Sequence, residues 1–419
     1  MGAFMDLIRI SRRKWLVCGA AIFCTALTCG QTAAQTGRLA GQELRIGAIV
    51  PSSGPFAEWG RSNTVTLKML EDEINASGGV EGAKVRIIVY DDASRPPQAA
   101  NLVRRLAEDD KVLAIAGPLT SSTVEVAFPV ANEMKVVAMS QASSKPGVAA
   151  LNRPWGFRNT VDEMVLGRAS VPFFKNAYNI STVAVIYDGK DANSVALGRK
   201  IMPSLMKENG IKVLNEENLL TFNTGDIDVS AQVTTLRSLN SDGIVVAADY
   251  SQAVTVLREL KRQGVIKPVI GGTPLIAAAT LKAAPDIPIV APATFFFAEK
   301  AEKGPMEKFA GSLLPLLRQT HGLPAEIEPS MYDANIYEIV SLYLDAVRKT
   351  DVTLKPDELG QDREKIRKFV ETESFQGFGG RVSFSKDGEA SKTFFIVVGK
   401  DGKWTEGARG CSGPGGKGC

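Results

Sequence analysis

Apolar residues come in short unbroken runs, and the stretches between them carry apolar positions at helical spacing, a pattern that predicts an α/β protein. Leu44–Val50, Lys84–Tyr90, Val112–Ala116 and Val136–Met139 read as strands. Arg61–Ser77, Pro97–Asp109 and Val124–Met134 read as the helices between them. Strictly alternating strands and helices imply a parallel sheet with helices on both faces. The pattern then restarts. Strands are expected at Thr182–Tyr187, Ile211–Leu214, Gly243–Ala248 and Pro268–Ile270, with helices at Asp191–Asn209, Val229–Leu239 and Gln252–Gln263. Phe157–Thr160 reads as an extended linker between the halves. Beyond Pro292 come a strand at Phe295–Phe297 and helices at Met306–His321, Ser330–Lys349 and within Pro356–Glu373. Strands at Val382–Phe384 and Thr393–Val398 follow, around the Lys386-Asp387-Gly388 turn. Two doubly wound units in one chain predict a cleft between them.

The stretch Gly117-Pro118-Leu119-Thr120-Ser121-Ser122-Thr123 stands where a strand gives way to a helix. A helix start offers unpaired N–H groups and the positive end of the helix dipole. Hydroxyl donors added there suit a carboxylate without any Lys or Arg. The plainer reading is a helix cap. A second hydroxyl-rich loop, Ser140 to Pro146 with Ser143 and Ser144, follows the Val136–Met139 strand. In open α/β sheets such strand ends face the ligand crevice. Trp59, in a Gly/Pro-rich loop, is either an aromatic wall for a ligand or a loop anchor. Tyr250, at a strand end in the second half, either closes the cleft or is half-buried there.

Enzyme chemistry finds little footing. The one histidine, His321, precedes a Gly/Pro break, and there is no nucleophile elbow, P-loop or HExxH. Asp91-Asp92 and Glu71-Asp72-Glu73 read as solvated acidic runs, and no Cys/His cluster suits a metal. No cofactor is expected. A secreted Ser/Thr hydrolase is the rival reading from another class.

Residues 1–34 have the form of a cleavable secretory signal: a basic segment ending at Lys14, an apolar segment Trp15–Thr28, and a small-residue site ending at Ala34. Ser11-Arg12-Arg13-Lys14 also resembles a twin-arginine motif, and Cys29 is a weak candidate for lipidation. The formal net charge of +3 resides entirely in this leader, so no basic surface argues for nucleic acid. Of five cysteines, only Cys411 and Cys419 lie outside the leader. They either close a small disulfide loop or stand unpaired in a Gly-rich tail.

Leu44–Gly60 (LRIGAIVPSSGPFAEWG), Ile74–Gly82 (INASGGVEG), Tyr90-Asp91-Asp92 with Pro97–Ala100, the Gly117 loop and Phe375–Asp387 (FQGFGGRVSFSKD) occur in an order that resembles one family. That family is the type I periplasmic solute-binding proteins, specifically the leucine/isoleucine/valine-binding group that serves ABC importers. The resemblance implies two doubly wound parallel-sheet lobes joined by a three-stranded hinge, with a solute trapped between them and a membrane permease as partner, the receptor acting as a monomer. It implies lobe 1 at residues 43–160 and 293–388, lobe 2 at 161–292 and 389–405, and a flexible tail at 406–419. By position, Trp59 matches an aromatic ligand contact, Ser121 the carboxylate-binding serine, Ser143 and Ser144 a second gripping pair, and Tyr250 a tyrosine of lobe 2. Ser122 joins them as a hydroxyl of the same loop as Ser121, which converges with the Ser143 loop if both lie at one strand-end edge. Two positions depart from the amino-acid binders: Ala192 replaces a tyrosine, and Thr273 replaces the glutamate that pairs with the α-amino group. Either Asp191 or Asp249 substitutes for that acid, or the ligand is an aromatic or aliphatic carboxylate or an amide without an amino group.

Overall fold

The computed structural model describes residues 37–296, 304–325, 327–417 and 419. The expected signal peptide and Phe297 lie outside the described residues. Lobe 1 is built on β1 (Glu43–Val50), whose side chains alternate between two cores. Leu44, Ile46, Ala48 and Val50 face one, and Ile49 faces the other. In order follow α1 (Ala57–Ala76), β2 (Lys84–Asp91), α2 (Pro96–Glu108), β3 (Ala114–Ala116), α3 (Ser121–Glu133), β4 (Val137–Ser140) and β5 (Gly156–Arg158). The sheet order is β2-β1-β3-β4-β5, all parallel, with Glu43 opposite Lys84 and Gly47 opposite Ile115. Phe157 and Arg158 therefore belong to an edge strand, not to a free linker. Three buried residues there exchange ladder bonds with β4, which a short polar-flanked run does not announce.

Lobe 2 runs α4 (Glu163–Tyr178), β6 (Thr182–Asp188), α5 (Ala192–Ala196), α6 (Met202–Glu208), β7 (Lys212–Val213), β8 (Leu220–Phe222), α7 (Ser230–Leu239), β9 (Gly243–Ala247), α8 (Tyr250–Arg262), β10 (Val269–Gly271), α9 (Ala278–Ala283) and β11 (Ile289–Ala293). The single helix expected at Asp191–Asn209 is interrupted by a π turn at Leu197–Ile201. Helix α4 fills a gap in the predicted pattern. The strand expected at Phe295–Phe297 is instead β11, just before it.

The chain then adds α10 (Pro305–Gln319), α11 (Met331–Lys349) and α12 (Leu359–Thr372), of which α11 and α12 pack into the lobe 1 core. A small antiparallel sheet follows, of β12 (Phe375–Gly377), β13 (Gly380–Phe384) and β14 (Ala390–Ser391). Finally β15 (Thr393–Lys400) and β16 (Lys403–Cys411) return to lobe 2, whose sheet order is β16-β15-β11-β10-β9-β6-β7, with β8 also on β6. β15 runs antiparallel to its neighbours β11 and β16, so β16 points the same way as the parallel strands. The expected flexible tail is thus a strand up to Cys411, followed by a loop closed by the Cys411–Cys419 disulfide. Among the described residues no helix is long and apolar enough to cross a membrane.

Three passages of chain connect the lobes, and all three meet at one buried point on α11. From the first passage, Asn159 donates to the Asn335 carbonyl (3.1 Å) and to Glu338 (2.8 Å). From the second, Thr294 bonds the Asn335 side chain (3.3 Å). From the third, Lys392 reaches Asn335 (2.9 Å) and Glu338 (2.8 Å). Lys392 and Glu338 are almost wholly buried. Beside them the fully buried Arg158 pairs with Asp162 (2.8 Å) and with Glu389, joining the first passage to the third.

Removing one partner of a buried ion pair strands the other charge, at about 3–5 kcal/mol. Lys392→Met is expected to lower unfolding stability by that amount in urea titration, and Lys392→Met/Glu338→Leu to recover much of it. A loss below about 1 kcal/mol for Lys392→Met would show that the pair does not hold the passages together.

Candidate ligand-binding site

The cleft begins where β3 ends. Gly117 has φ +105°, and a Cβ there would lie 2.2 Å from the Ile49 carbonyl oxygen, so the turn admits only glycine. Thr120 then caps α3, its Oγ1 accepting from the Thr123 N–H (3.2 Å). Ser121 opens the helix and shares a hydrogen bond of 2.9 Å with the Ser143 hydroxyl. Ser143 is fixed in turn by the Ser140 hydroxyl, which accepts its N–H (3.0 Å). The two hydroxyl loops therefore meet, as their positions after neighbouring parallel strands predict.

Thr120, Ser121 and Ser144 face Asp191, Asn193 and Asp249 of lobe 2 across a small cavity of about 30 Å³. Trp59 and Tyr332 also line it. Trp59 lies in the first turn of α1, not in a loop, and is buried. Its ring centroid is 4.5 Å from that of Tyr250 and 4.4 Å from that of Tyr332. Tyr250 opens α8 after the Asp249 cap, one step past the strand end at which the sequence places it. Further contacts cross the cleft. The Tyr250 hydroxyl donates to Glu58 (3.3 Å), Ser122 Oγ accepts the Ala192 N–H (3.4 Å), and Ser144 Oγ lies 3.4 Å from the Asn193 side-chain amide.

Thr273 is buried and turned toward an acid that sequence reasoning passed over, Glu163. One oxygen of Glu163 accepts from the Ser144 hydroxyl (3.0 Å), the Thr273 N–H (3.2 Å) and the Thr273 hydroxyl (3.1 Å). The other oxygen has no hydrogen-bond partner. Gly272 lets the carboxylate come this close, since a Cβ there would lie 2.8 Å from Oε1. An acid at the first position of a helix ordinarily reads as a solvated complement to the dipole, so the sequence carries no signal that this one is buried. Tyr332 was likewise missed, because Ser330-Met331-Tyr332-Asp333 reads as a capping box and nothing more.

Three carboxylates thus gather in lobe 2. Burial pushes Glu163 upward, against its bonds from Thr273 and Ser144. Burial raises Asp191 too, against its bonds from Ser194. Asp249 is raised by burial to about 6, with repulsion from Asp191 adding to the effect. Its Oδ1 caps α8 through the Ser251 (2.7 Å) and Gln252 (3.2 Å) N–H groups, while Oδ2 has no partner. The Tyr332 hydroxyl bonds Thr273, and all three acids oppose its ionisation. Among the described residues no group of acids, His or Cys is placed to hold a metal.

A profile of the family described as Periplasmic binding protein matches residues 43–403. An amino acid binding protein of Pseudomonas aeruginosa is 28% identical over 222 residues, covering 53% of this chain and 58% of that protein. The chain thus aligns with somewhat under two thirds of the curated relatives' length. The fold is similar to that of a branched-chain amino acid transporter substrate binding protein from Streptococcus pneumoniae, in complex with isoleucine (TM-score 0.74, 22% identity, covering 88% of this chain and 99% of that one). It is also similar to a solute binding protein of an ABC transporter from Rhodopseudomonas palustris, in complex with 3,4-dihydroxybenzoic acid (TM-score 0.73, 17% identity, covering 88% and 98%).

Because the folded state favours protonated Asp249, its stabilising contribution is present below about pH 4 and is lost as pH rises through about 6. Asn keeps the cap but cannot ionise. Between pH 4 and pH 7, Asp249→Asn is expected to gain on the parent protein by up to about 3 kcal/mol. Asp92, also raised to about 6, is common to both proteins and cancels in the comparison. Parallel stability–pH curves would contradict the assignment.

Proposed function

The chain belongs to the periplasmic binding protein family, and from that premise we propose that it is the extracytoplasmic solute receptor of an ABC importer. It captures a small carboxylate-bearing solute, an amino acid by preference, between its lobes and presents it to a membrane permease. One observation carries this reading: a cavity between the lobes has a hydroxyl-rich helix start on one wall and carboxylates on the other. The solute's carboxylate sits at Thr120, Ser121 and the Ser143 hydroxyl behind it, where N–H groups and the helix dipole receive an anion. Its ammonium faces Asp249 and Asp191. Glu163, bonded to Thr273, supplies the acid that position 273 itself lacks. Trp59 and Tyr332 form the apolar wall, with Tyr250 packed against Trp59 rather than on the wall itself. Hinge closure traps the solute, and the contacts that Ser122, Ser144 and Tyr250 make across the cleft are those such closure would form. Ser122 and Ser143 act behind the cavity surface, and Trp59, Ser121 and Ser144 on it. The names of the similar proteins, an amino acid binder among them, support this choice.

A second reading draws on the aromatic wall: an aromatic carboxylate without an amino group, as in the dihydroxybenzoate complex of the similar R. palustris protein. Against it stand the acids, which would then be enclosed with no opposite charge.

A thermal-shift screen against amino acids, amides, and aromatic and aliphatic carboxylates tests the proposal. A solute at 100 times its dissociation constant adds about 2.7 kcal/mol of stability. Ser121→Ala is expected to weaken binding of the hit at least tenfold while costing only about 1 kcal/mol of stability, one neutral hydrogen bond. Unchanged affinity would remove Ser121 from the site.

A further inference from the structure

The charges in the cleft do not balance. Asp191 and Asp249 line the cavity, and Glu163 lies directly behind Ser144 and Thr273. Among the described residues, no Lys, Arg or His lines it. Two cations beside the hydroxyl loops, Arg158 and Lys145, are committed elsewhere. Arg158 is spent on Asp162, Glu389 and the carbonyls of Ser143 and Lys145, and Lys145 pairs with Glu125. Two carboxylate oxygens, Glu163 Oε2 and Asp249 Oδ2, are buried without a partner, and the Asp249 residue is 2% exposed on the cavity wall. A buried carboxylate without a partner is costly, and natural structures retain few such groups. The three acids are not spaced as metal ligands. The side chains of Trp59 and Tyr332 line the same space, and aromatic faces attract cations.

One ammonium of a neutral amino acid would answer one of these acids and bring its own carboxylate into the cleft. We infer that the solute carries a net positive charge: a small carboxylate-bearing molecule with two cationic nitrogens, of the basic amino-acid class, whose carboxylate meets the α3 start and whose nitrogens meet Asp249, Asp191 and the Glu163 side of the cleft. This inference rests on the reading of the cleft as a carboxylate-binding receptor site and narrows it.

The test is calorimetric titration of the protein at pH 7.5 with L-lysine, L-arginine, L-ornithine, agmatine, putrescine, L-leucine, L-valine and benzoate. The expected result is binding of at least one basic amino acid at least a hundredfold tighter than leucine or valine, lowered tenfold or more by Asp249→Asn and by Glu163→Gln. Leucine, valine or benzoate binding as tightly as any cation would overturn the inference and leave the receptor reading standing. Agmatine or putrescine binding with no basic amino acid binding would keep the positive charge but remove the carboxylate site. If a basic amino acid binds and neither variant weakens it, the acids are not its partners and the inference fails. Silence across the panel would overturn both readings. Melting curves of each variant show whether it is folded.

Discussion

The ion pair between Lys392 and Glu338 holds the point on which this architecture turns. Three separate passages of chain run between the lobes, and each sends a side chain to the same turn of α11. An ammonium and a carboxylate buried together must be paired and fully bonded or they destabilise the fold. The pairing therefore fixes where the passages lie relative to one another. Because the anchor sits on α11 of lobe 1, lobe 2 is left to move about a short, well-defined set of residues, as hinge motions require. Arg158 repeats the device one step away, tying the first passage to the third through Asp162 and Glu389.

The same physics, inverted, describes the cleft. At the hinge every buried charge has its partner. In the cleft three carboxylates are brought toward burial with hydrogen bonds but no opposite charge, and their protonation equilibria shift upward in consequence. One set of buried charges holds the fold in register, and the other is poised for something from outside. Hydroxyls on the facing wall, with a helix start behind them, give the cleft opposite electrostatic ends. A small solute with separated charges is the natural complement to that arrangement.

Much of this was legible in the sequence. The strands of both sheets announce themselves as apolar runs, and the two hydroxyl loops fall where parallel strands end, so Ser121 and Ser143 meet as expected. What escaped did so for physical reasons. Helix α4 contains Gly167 and Pro172 and has no clear apolar stripe, so its period is weak. Strand β16 is Gly- and charge-rich, and it is a strand because β15 offers a free edge, a tertiary effect that no local pattern carries. Position 273 looked like the loss of an acid. The acid is present at Glu163, 110 residues earlier, and Thr273 bonds it. Only the packing of α4 against the strand end of β10 makes that substitution visible.

The central claim is that the space between the lobes is where the solute sits, and Trp59 reports on that space directly. With Trp15, Trp155 and Trp404 replaced by Phe, the remaining indole lies between Tyr250 and Tyr332 on the cavity wall. Its fluorescence should then be titrated with a solute that stabilises the protein against heat. A saturable change, with the same midpoint as the calorimetric titration, is the predicted result. A stabilising solute that leaves Trp59 emission unchanged at saturation would place the binding site elsewhere and contradict the account.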